Sequence, residues 1–359
     1  MKKQLIILGA ITILLFVNFS GCNEQTSETE DISQNSENGD NQETTNGDEL
    51  LQTVCQTAND DYPEWSKLSS DIIIWENLDK SFNFRNSPED MSIGISSPIS
   101  SSETLVDMDF IGLNEISYVK TQDDKWHICL FKLNGMDEPD NSIIYNRTDS
   151  VSSIDISPIN KNEFITFYTK GNNVFLEYLD ISDSKEENLL ETSLADSNNK
   201  KLAVSAKGNY VYLLYDDTLR IFDIASKTKL DEINSIESVV WVGDSYLIYS
   251  ISDKTYIYDT DSKEKSEVSK MGSVRDLCFN PKNNGVIAYT EQSIAKTVNC
   301  ETWQTLGSTQ NAKIITLANE QTAIMEKENF LGYWRFDNAN WVVSLSEGFS
   351  NFATVWKLY

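Results

Sequence analysis

Short runs that alternate between apolar and polar residues fill most of the chain after residue 70. Residues 210–215 and 245–250 are typical, because both are rich in Tyr, Ile and Leu or Val and are bounded by polar turns. Such alternation favours strands with one buried face. Helical patterning is nearly absent, and the one short helix that the sequence predicts covers residues 49–58.

The alternating runs recur with a period of about 36 to 46 residues. Asp180, Asp223 and Asp259 each end the third strand of a unit, with 43 residues between the first two and 36 between the last two. Four short strands in each period are typical of a propeller blade. Six complete units begin near residues 102, 151, 195, 236, 274 and 312.

Strand-like runs also remain at both ends of this region, at residues 71–76, 91–95 and 351–359. None forms a sheet alone, but pairing them builds one more blade and hides two open sheet edges. The fold class that we predict is therefore all-β, a β-propeller of four-stranded blades over residues 50–359. Seven blades are favoured, and six or eight stay open.

One stretch resembles a known repeat. Thr218-Leu-Arg-Ile-Phe-Asp-Ile-Ala-Ser-Lys-Thr228 resembles the third strand and turn of WD40 repeats and of related quinoprotein-like propeller repeats. Residues 151–158 are similar to the opening strand of the same unit. Phe-Asp or Tyr-Asp stands where Trp-Asp is usual, and neither the Gly-His pair nor the tryptophan-docking motif of pyrroloquinoline quinone enzymes occurs. The resemblance implies the propeller fold, not membership of one family.

The first 22 residues carry a targeting pattern. Lys2 and Lys3 precede 13 mostly apolar residues, 5–17, which are too few to cross a bilayer but suit a secretory signal. Phe19-Ser-Gly-Cys22 resembles the lipobox of prokaryotic lipoproteins, with Phe19 in place of the usual Leu. The resemblance implies a lipid on Cys22, removal of residues 1–21, and an outward-facing location on the cell membrane. An ordinary signal peptide or an uncleaved anchor is the alternative.

Residues 23–49 hold fifteen Ser, Thr, Asn or Gln, nine acids and a single aliphatic residue, Ile32. This composition cannot bury enough apolar surface to offset the entropy of ordering. We therefore predict three parts: a signal peptide over 1–21, a lipid-anchored disordered acidic tether over 22–49, and the propeller over 50–359. The net charge of −27 repels phosphate backbones, so nucleic acid is excluded as a partner.

Catalytic signals are scarce. The only histidine, His127, lies within a predicted strand, so we assign no catalytic residue, metal ligand or cofactor. A hydrolase that uses a pair of carboxylates stays open, because such pairs form in space rather than in sequence. Besides Cys22, four cysteines allow three disulfide pairings that the sequence cannot rank. These cysteines are Cys55, Cys129, Cys278 and Cys300.

The tryptophans fall into two predicted groups. Trp75, Trp241 and Trp356 lie in strand-like runs and are expected in the core. Four others lie nearer predicted turns or outer strands, where a few could stack on a ligand, although aromatic core residues are common in propellers. These are Trp126, Trp303, Trp334 and Trp341.

Acidic residues recur in the turns between the second and third strands of the units. Propeller geometry places these turns on one face, near the rim of the central channel, so they are candidates for an acidic binding face. Asp, Asn and Gly are also ordinary hairpin residues, which is the alternative explanation. The candidates are Asp123, Asp124, Asp216, Asp217 and Asp253.

Asn146-Arg-Thr148 is the only glycosylation sequon after residue 22, in a predicted loop, and its use depends on the host. Together these features predict an anchored lipoprotein whose propeller is a protein-binding scaffold in a cell-surface or envelope assembly, with an unidentified protein partner. Binding of a small ligand or glycan at the channel mouth, and the hydrolase, are the alternatives.

Overall fold

A computed structural model describes most of the chain after residue 45. The described residues are 46–64, 73–85, 93–95, 97–123, 125–133, 140–148, 151, 153–193, 200–281, 285–317, 322–327, 330–335, 340–347 and 351–354. They belong to one compact unit, Thr44–Tyr359. Cys22, residues 22–45 of the predicted tether, Asp124 and Trp356 lie outside the described residues.

The described strands form seven antiparallel sheets of four strands each. Blade 1 contains β1 (Ile73–Glu76), β2 (Phe82–Arg85), β3 (Ile93–Ile95) and β28 (Asn351–Thr354). Blade 2 contains β4 (Thr104–Gly112), β5 (Glu115–Gln122), β6 (Lys125–Lys132) and β7 (Asp140–Arg147). Blade 3 contains β8 (Ser153–Pro158), β9 (Glu163–Lys170), β10 (Asn173–Asp180) and β11 (Lys185–Ser193).

The other four blades follow the same order. Blade 4 contains β12 (Lys200–Val204), β13 (Tyr210–Tyr215), β14 (Thr218–Asp223) and β15 (Thr228–Ile233). Blade 5 contains β16 (Ile236–Val242), β17 (Tyr246–Ile251), β18 (Lys254–Asp259) and β19 (Lys265–Glu267). Blade 6 contains β20 (Arg275–Asn280), β21 (Val286–Glu291), β22 (Ile294–Asn299) and β23 (Thr305–Gln310). Blade 7 contains β24 (Lys313–Leu317), β25 (Thr322–Lys327), β26 (Phe330–Arg335) and β27 (Asn340–Glu347).

The two ends of the chain complete blade 1 together. β28 pairs antiparallel with β1, from Ile73 opposite Thr354 to Glu76 opposite Asn351. β28 also lies beside β4, the first strand of blade 2, just as β16 lies beside β20 and β20 beside β24. The first strands, with β28 as that of blade 1, therefore surround the central channel. This confirms the predicted seven blades and their closure.

Side chains of the inner strands fasten one blade to the next. The Ser157 hydroxyl accepts a hydrogen bond from the backbone N–H of Val204 at 3.1 Å. In the same way, the Ser238 hydroxyl of blade 5 accepts a hydrogen bond from the backbone N–H of Leu277 in blade 6 at 2.9 Å. These polar atoms satisfy backbone donors that face a neighbouring blade rather than a strand partner.

Aromatic side chains fill the space between sheets. Trp75 and Trp241 are fully buried, as predicted, and the Trp241 indole N–H donates to the carbonyl of Ala203 at 3.0 Å in the preceding blade. Trp126 and Trp334 are also fully buried, which agrees with a place in the core and leaves neither available to stack on a ligand. They lie in central strands whose two faces both pack against neighbouring blades.

One α-helix occurs among the described residues, α1 (Gly47–Thr57), which precedes β1 and is followed by a short 3-10 turn at Ala58–Asp60. The Asn46 side chain caps its start by accepting from the Asp48 N–H at 3.1 Å. Asp48 and Glu49 lie in its first turn, where acids interact favourably with the helix dipole. Residues 47–49 are therefore helical, which corrects the predicted end of the tether at 49.

Candidate binding face

The turns between the second and third strands all open on one side of the ring, which we call the upper face. Six of these turns contain only two residues, as the direct pairing of the flanking strand residues shows. The flanking pairs are Gln122–Lys125, Lys170–Asn173, Tyr215–Thr218, Ile251–Lys254, Glu291–Ile294 and Lys327–Phe330. Because each blade has the same strand order, the hairpin turns between second and third strands lie on the same side of the ring.

Hairpin geometry also accounts for several of the acids. Asp216 and Asp217 both have positive φ, at 52° and 57°, and Asp123 has a φ of 49°. Tight turns of this mirror-image type match the twist of the flanking strands and favour Asp, Asn and Gly. These residues therefore have a structural reason for being acidic or small, whatever else they do.

The acids nevertheless present their charges to solvent. Asp123, Asp216, Asp217 and Asp253 are all exposed. Within the described ranges, no Lys or Arg side chain forms an ion pair with Asp123, Asp216 or Asp253. Their charges remain available to a partner.

Shallow grooves separate neighbouring blades on the upper face. One of about 580 Å³ is lined by Asp216, Asp217 and Glu237 and reaches Arg275. A second, of about 810 Å³, runs from Asp276 past Arg275 to Lys313. A third, of about 370 Å³, lies between blades 2 and 3 beside Asp123. All three are open to solvent and have mainly polar rims.

Cations interrupt the acidic residues of this face. Lys125, Lys170 and Lys254 flank the hairpin turns, and two further cations were not among the candidates taken from the sequence. Arg275 begins β20 and lies 3.8 Å from the Glu237 carboxylate, while Lys313 begins β24. Both follow the connection from an outer strand to the next inner strand, which opens on the same face as the hairpin turns. The sequence predicts that repeat units begin near residues 274 and 312, and these positions could have placed both cations on this face.

The central channel holds another cation, Lys201 of β12. Its Nζ donates to the carbonyl of Val239 at 2.8 Å. The surrounding protein opposes its charge, but Tyr212, Cys278 and Asp276 raise the pKa of Lys201 on balance, and its side chain remains exposed to solvent. Burial raises the pKa of the nearby Cys278 thiol to about 12.

The opposite side of the ring, the lower face, is partly covered by residues 46–64. The backbone N–H of Gly243 donates to the Tyr62 hydroxyl at 3.1 Å, and that of Asp244 donates to the Asp61 carboxylate at 3.0 Å. Lys207 adds an ion pair to Asp61 at 2.5 Å. The upper face is therefore the one that this segment leaves open.

His127 and Asn146 lie on paired strands at the edge of blade 2. His127 Nδ1 is hydrogen-bonded to the Asn146 side-chain oxygen, so the histidine is a strand residue as predicted. Asn146 is exposed but lies within β7, which corrects the predicted loop. β7 extends to Arg147, because a bulge beside Ile128 and Cys129 lets it follow β6 to its start.

No group of three or more metal-ligating side chains occurs among the described residues. Among the described residues, the carboxyl groups whose pKa values are displaced are all displaced downward, mostly by hydrogen bonds from neighbouring hydroxyl, amide or ammonium groups. A carboxylic acid that donates a proton in glycoside hydrolysis needs the opposite shift. The five displaced groups are Asp79, Glu103, Asp180, Glu187 and Glu232.

No family model matches the sequence, and no curated protein matches it either. The fold resembles several solved structures. A functionally unknown protein from Desulfotomaculum acetoxidans DSM 771 has a TM-score of 0.55 and 13% identity, over 79% of this chain and 98% of that one. The uncharacterized protein lmo1340 from Listeria monocytogenes EGD-e has a TM-score of 0.50 and 11% identity, over 71% and 87%.

A eukaryotic protein shows a similar degree of likeness. Sqt1 from Saccharomyces cerevisiae has a TM-score of 0.50 and 11% identity, over 76% of this chain and 85% of that one. At such low identity these comparisons show the propeller fold alone.

Proposed function

We propose that this protein is a membrane-anchored, extracytoplasmic lipoprotein whose propeller binds a protein partner through the upper face. The observation that carries the proposal is the open upper face, where exposed acids border grooves between rigid blades. A rigid face of this breadth suits recognition of an extended surface rather than a buried small molecule.

The chemistry of the face specifies the kind of partner. Among the described residues, the exposed large apolar side chains are Leu78, Leu113 and Ile143, which lie apart in sequence and in different elements. An apolar docking patch is therefore not what this part of the chain offers. Exposed carboxylates beside polar grooves instead favour a basic protein segment, with charge attraction accelerating its encounter.

The proposed membrane anchor rests on the resemblance of residues 19–22 to a lipobox, with Cys22 as the lipidated residue. The described part of the chain contains no helix that is long and apolar enough to span a membrane. Lipidation of Cys22 would supply attachment without such a helix, and residues 23–45 would join it to the folded body. When a protein carries more than one fatty acyl chain, its attachment to the membrane is stable.

Crosslinking in the source cells tests the scaffold and the anchor together. Tagged full-length protein is compared with Cys22→Ser and with a triple variant that replaces Asp123, Asp216 and Asp253 by Asn. We expect wild type to fractionate with membranes and to capture one protein, Cys22→Ser to leave the membrane, and the triple variant to stay there but lose the partner.

A matched control removes three exposed acids from the lower side of the molecule. Asp60, Asp183 and Glu264 lie in the N-terminal segment or in turns between third and fourth strands, away from the upper face. Their replacement by the corresponding amides should leave capture unchanged. Equal loss of capture in both triple variants would show that net charge, not the upper face, governs binding. If no form captures a protein, the scaffold proposal fails and small-ligand binding takes its place.

A further inference from the structure

Two cysteines that are far apart in sequence meet inside the molecule. Cys55 lies in α1 and Cys300 directly follows β22 of blade 6, and both are fully buried. Both side chains border the space beside Gly285.

Gly285, at the start of β21, leaves the space in which they meet. A Cβ atom added to Gly285 would lie 2.8 Å from Cys55 Cβ and 3.2 Å from Cys300 Sγ. Its φ of +84° is also unfavourable for residues with a side chain. The space beside the Gly285 Cα is thus bordered by both cysteine side chains, which shows that the two side chains lie close together.

The other two described cysteines lie elsewhere. Cys129 belongs to β6 of blade 2 and interacts with Tyr118. Cys278 belongs to β20, and its thiol donates to the carbonyl of Ile315 at 3.5 Å. Of the four described cysteines, the structure therefore brings together Cys55 and Cys300, and it leaves Cys129 and Cys278 apart in blades 2 and 6.

We propose that Cys55 and Cys300 form a disulfide that joins α1 covalently to blade 6. The oxidant is an exchangeable disulfide, either oxidised glutathione or an oxidised dithiol protein. One cysteine thiolate attacks this disulfide and releases a first thiol, and the second thiolate then attacks the mixed disulfide and releases the other. Two S–H bonds are lost, one S–S bond forms, and two electrons and two protons leave with the reduced oxidant.

Burial determines when this exchange occurs. It raises the pKa of the Cys55 thiol well above its usual value, so the folded protein holds little of the reactive thiolate. The disulfide therefore forms while α1 is undocked, during folding or local opening. Once α1 has docked, the same burial shields the bond from reductants. Formation in the cell rests on the proposed extracytoplasmic location, whereas the pairing itself does not.

The cross-link would reinforce contacts that already hold α1. The Asp48 carboxylate accepts from the Ser269 hydroxyl at 2.5 Å, and the Gln52 side chain donates to the carbonyl of Glu301 at 2.6 Å. Such hydrogen bonds open transiently, but a disulfide does not. It would keep the helix in place when the preceding segment is pulled.

Refolding of the full-length chain tests the pairing. The Cys22→Ser protein, which lacks the lipidation site, is unfolded with reductant and refolded either in glutathione redox buffer or in reductant. Free thiols are then blocked with N-ethylmaleimide and the peptides are mapped by mass spectrometry. We expect glutathione to remove two of the four thiols, to give one Cys55–Cys300 peptide pair, and to raise Tm by about 5 °C.

Single variants keep the test decisive. Cys300→Ser should leave three free thiols, whereas the double variant Cys129→Ser, Cys278→Ser should still form the cross-link. Refolded protein with four blocked thiols, or with a cross-link to Cys129 or Cys278, would overturn the proposal. If refolding is incomplete, the same map of reduced protein, incubated with oxidised glutathione in enough urea to undock α1, gives the decision. A pair that forms in vitro but is absent from protein taken from its own cells would contradict the proposed location and leave the pairing standing.

Discussion

The aspartate that marks the repeat in the sequence acts as a turn cap in the structure. The Asp223 carboxylate accepts from the Ser226 N–H at 2.6 Å, and Asp259 accepts from the Asp261 N–H at 2.8 Å. Asn299 does the same for Thr302 at 2.9 Å in blade 6. Each side chain closes the turn between the third and fourth strands, which explains why the sequence repeats an Asp or Asn at this position.

Replacing Asp223 by Ala should therefore destabilise the protein, because the Ser226 N–H loses its acceptor. We expect about 1 kcal/mol lower free energy of unfolding in urea, and a much smaller change for Asp223→Asn, which keeps an acceptor. Glu264→Ala is the control, since Glu264 is an exposed acid in the equivalent turn of blade 5. Equal losses for Asp223→Ala and Asp223→Asn would contradict a capping role.

Local patterns in the sequence predicted most of what depends on neighbouring residues. The hairpin positions of Asp216 and Asp217 follow from two adjacent strands and a two-residue turn, all within a short segment. The contact of Cys55 with Cys300 depends on the complete ring, so no pattern around either cysteine could indicate it. The cations Arg275 and Lys313, by contrast, could have been placed on the upper face from the predicted unit starts at residues 274 and 312.

Between elements, a buried ion pair fastens the entry of blade 2. Glu103 lies just before β4, and its carboxylate accepts from Lys120 of β5 at 2.8 Å and from the Ser100 N–H at 2.7 Å. The Lys80 ammonium, in the turn between β1 and β2, donates to the Glu103 carbonyl at 3.1 Å. Residues from blades 1 and 2 thus converge on one glutamate.

This arrangement predicts a pH dependence of stability. Burial tends to raise the pKa of Glu103, but the bonds from Lys120 and Ser100 outweigh it and lower that pKa below its ordinary value of 4.5. A carboxyl with a lowered pKa stabilises the fold fully above the unfolded-state value and loses this effect as pH falls through the folded-state value. The contribution of Glu103 should therefore be present above about pH 4.5 and vanish on further acidification.

Glu103→Gln should cost about 1–2 kcal/mol of unfolding free energy at pH 7, and the difference from wild type should shrink below pH 4. Urea unfolding at several pH values measures it. Glu264→Gln, at an exposed position, serves as the control for the loss of one negative charge. A difference between wild type and Glu103→Gln that stays constant from pH 7 to pH 3 would contradict the assigned role of the ion pair.

The sequence also missed one whole strand, β2. Residues 82–85 read Phe-Asn-Phe-Arg, which is short and contains no β-branched residue. β2 pairs with β1 on one side and β3 on the other, so its conformation depends on partners rather than on its own propensity. β1, by contrast, has Ile73, Ile74 and Trp75 in sequence and was predicted.

At the scale of the whole molecule, ring closure depends on four residue pairs between β28 and β1. Deleting residues 351–359 removes the inner strand of blade 1 and exposes the edge of β1. We expect the thermal transition to fall by more than about 10 °C or to lose cooperativity, because blade 1 would be left with three short strands.

The control deletes only residues 355–359 and keeps β28. Scanning calorimetry of both deletions and of the full chain separates loss of the strand from loss of the end of the chain. Closely similar transitions for the two deletions would show that β28 is not needed for closure. The seven-blade count itself was predictable, because six periods and the leftover runs leave two sheet edges that can satisfy each other.

The way blade 1 is assembled also sets the order in which the chain can fold as a ribosome produces it. β1 emerges early but gains its partner β28 only with the last residues of the described chain. α1 emerges earlier still, yet it contacts residues of blades 5 and 6 that lie 221 and 249 residues downstream. Two of the first described elements to be synthesised thus wait for neighbours made much later: β1 keeps one open edge until β28 is made, and α1 stays undocked until blades 5 and 6 are made.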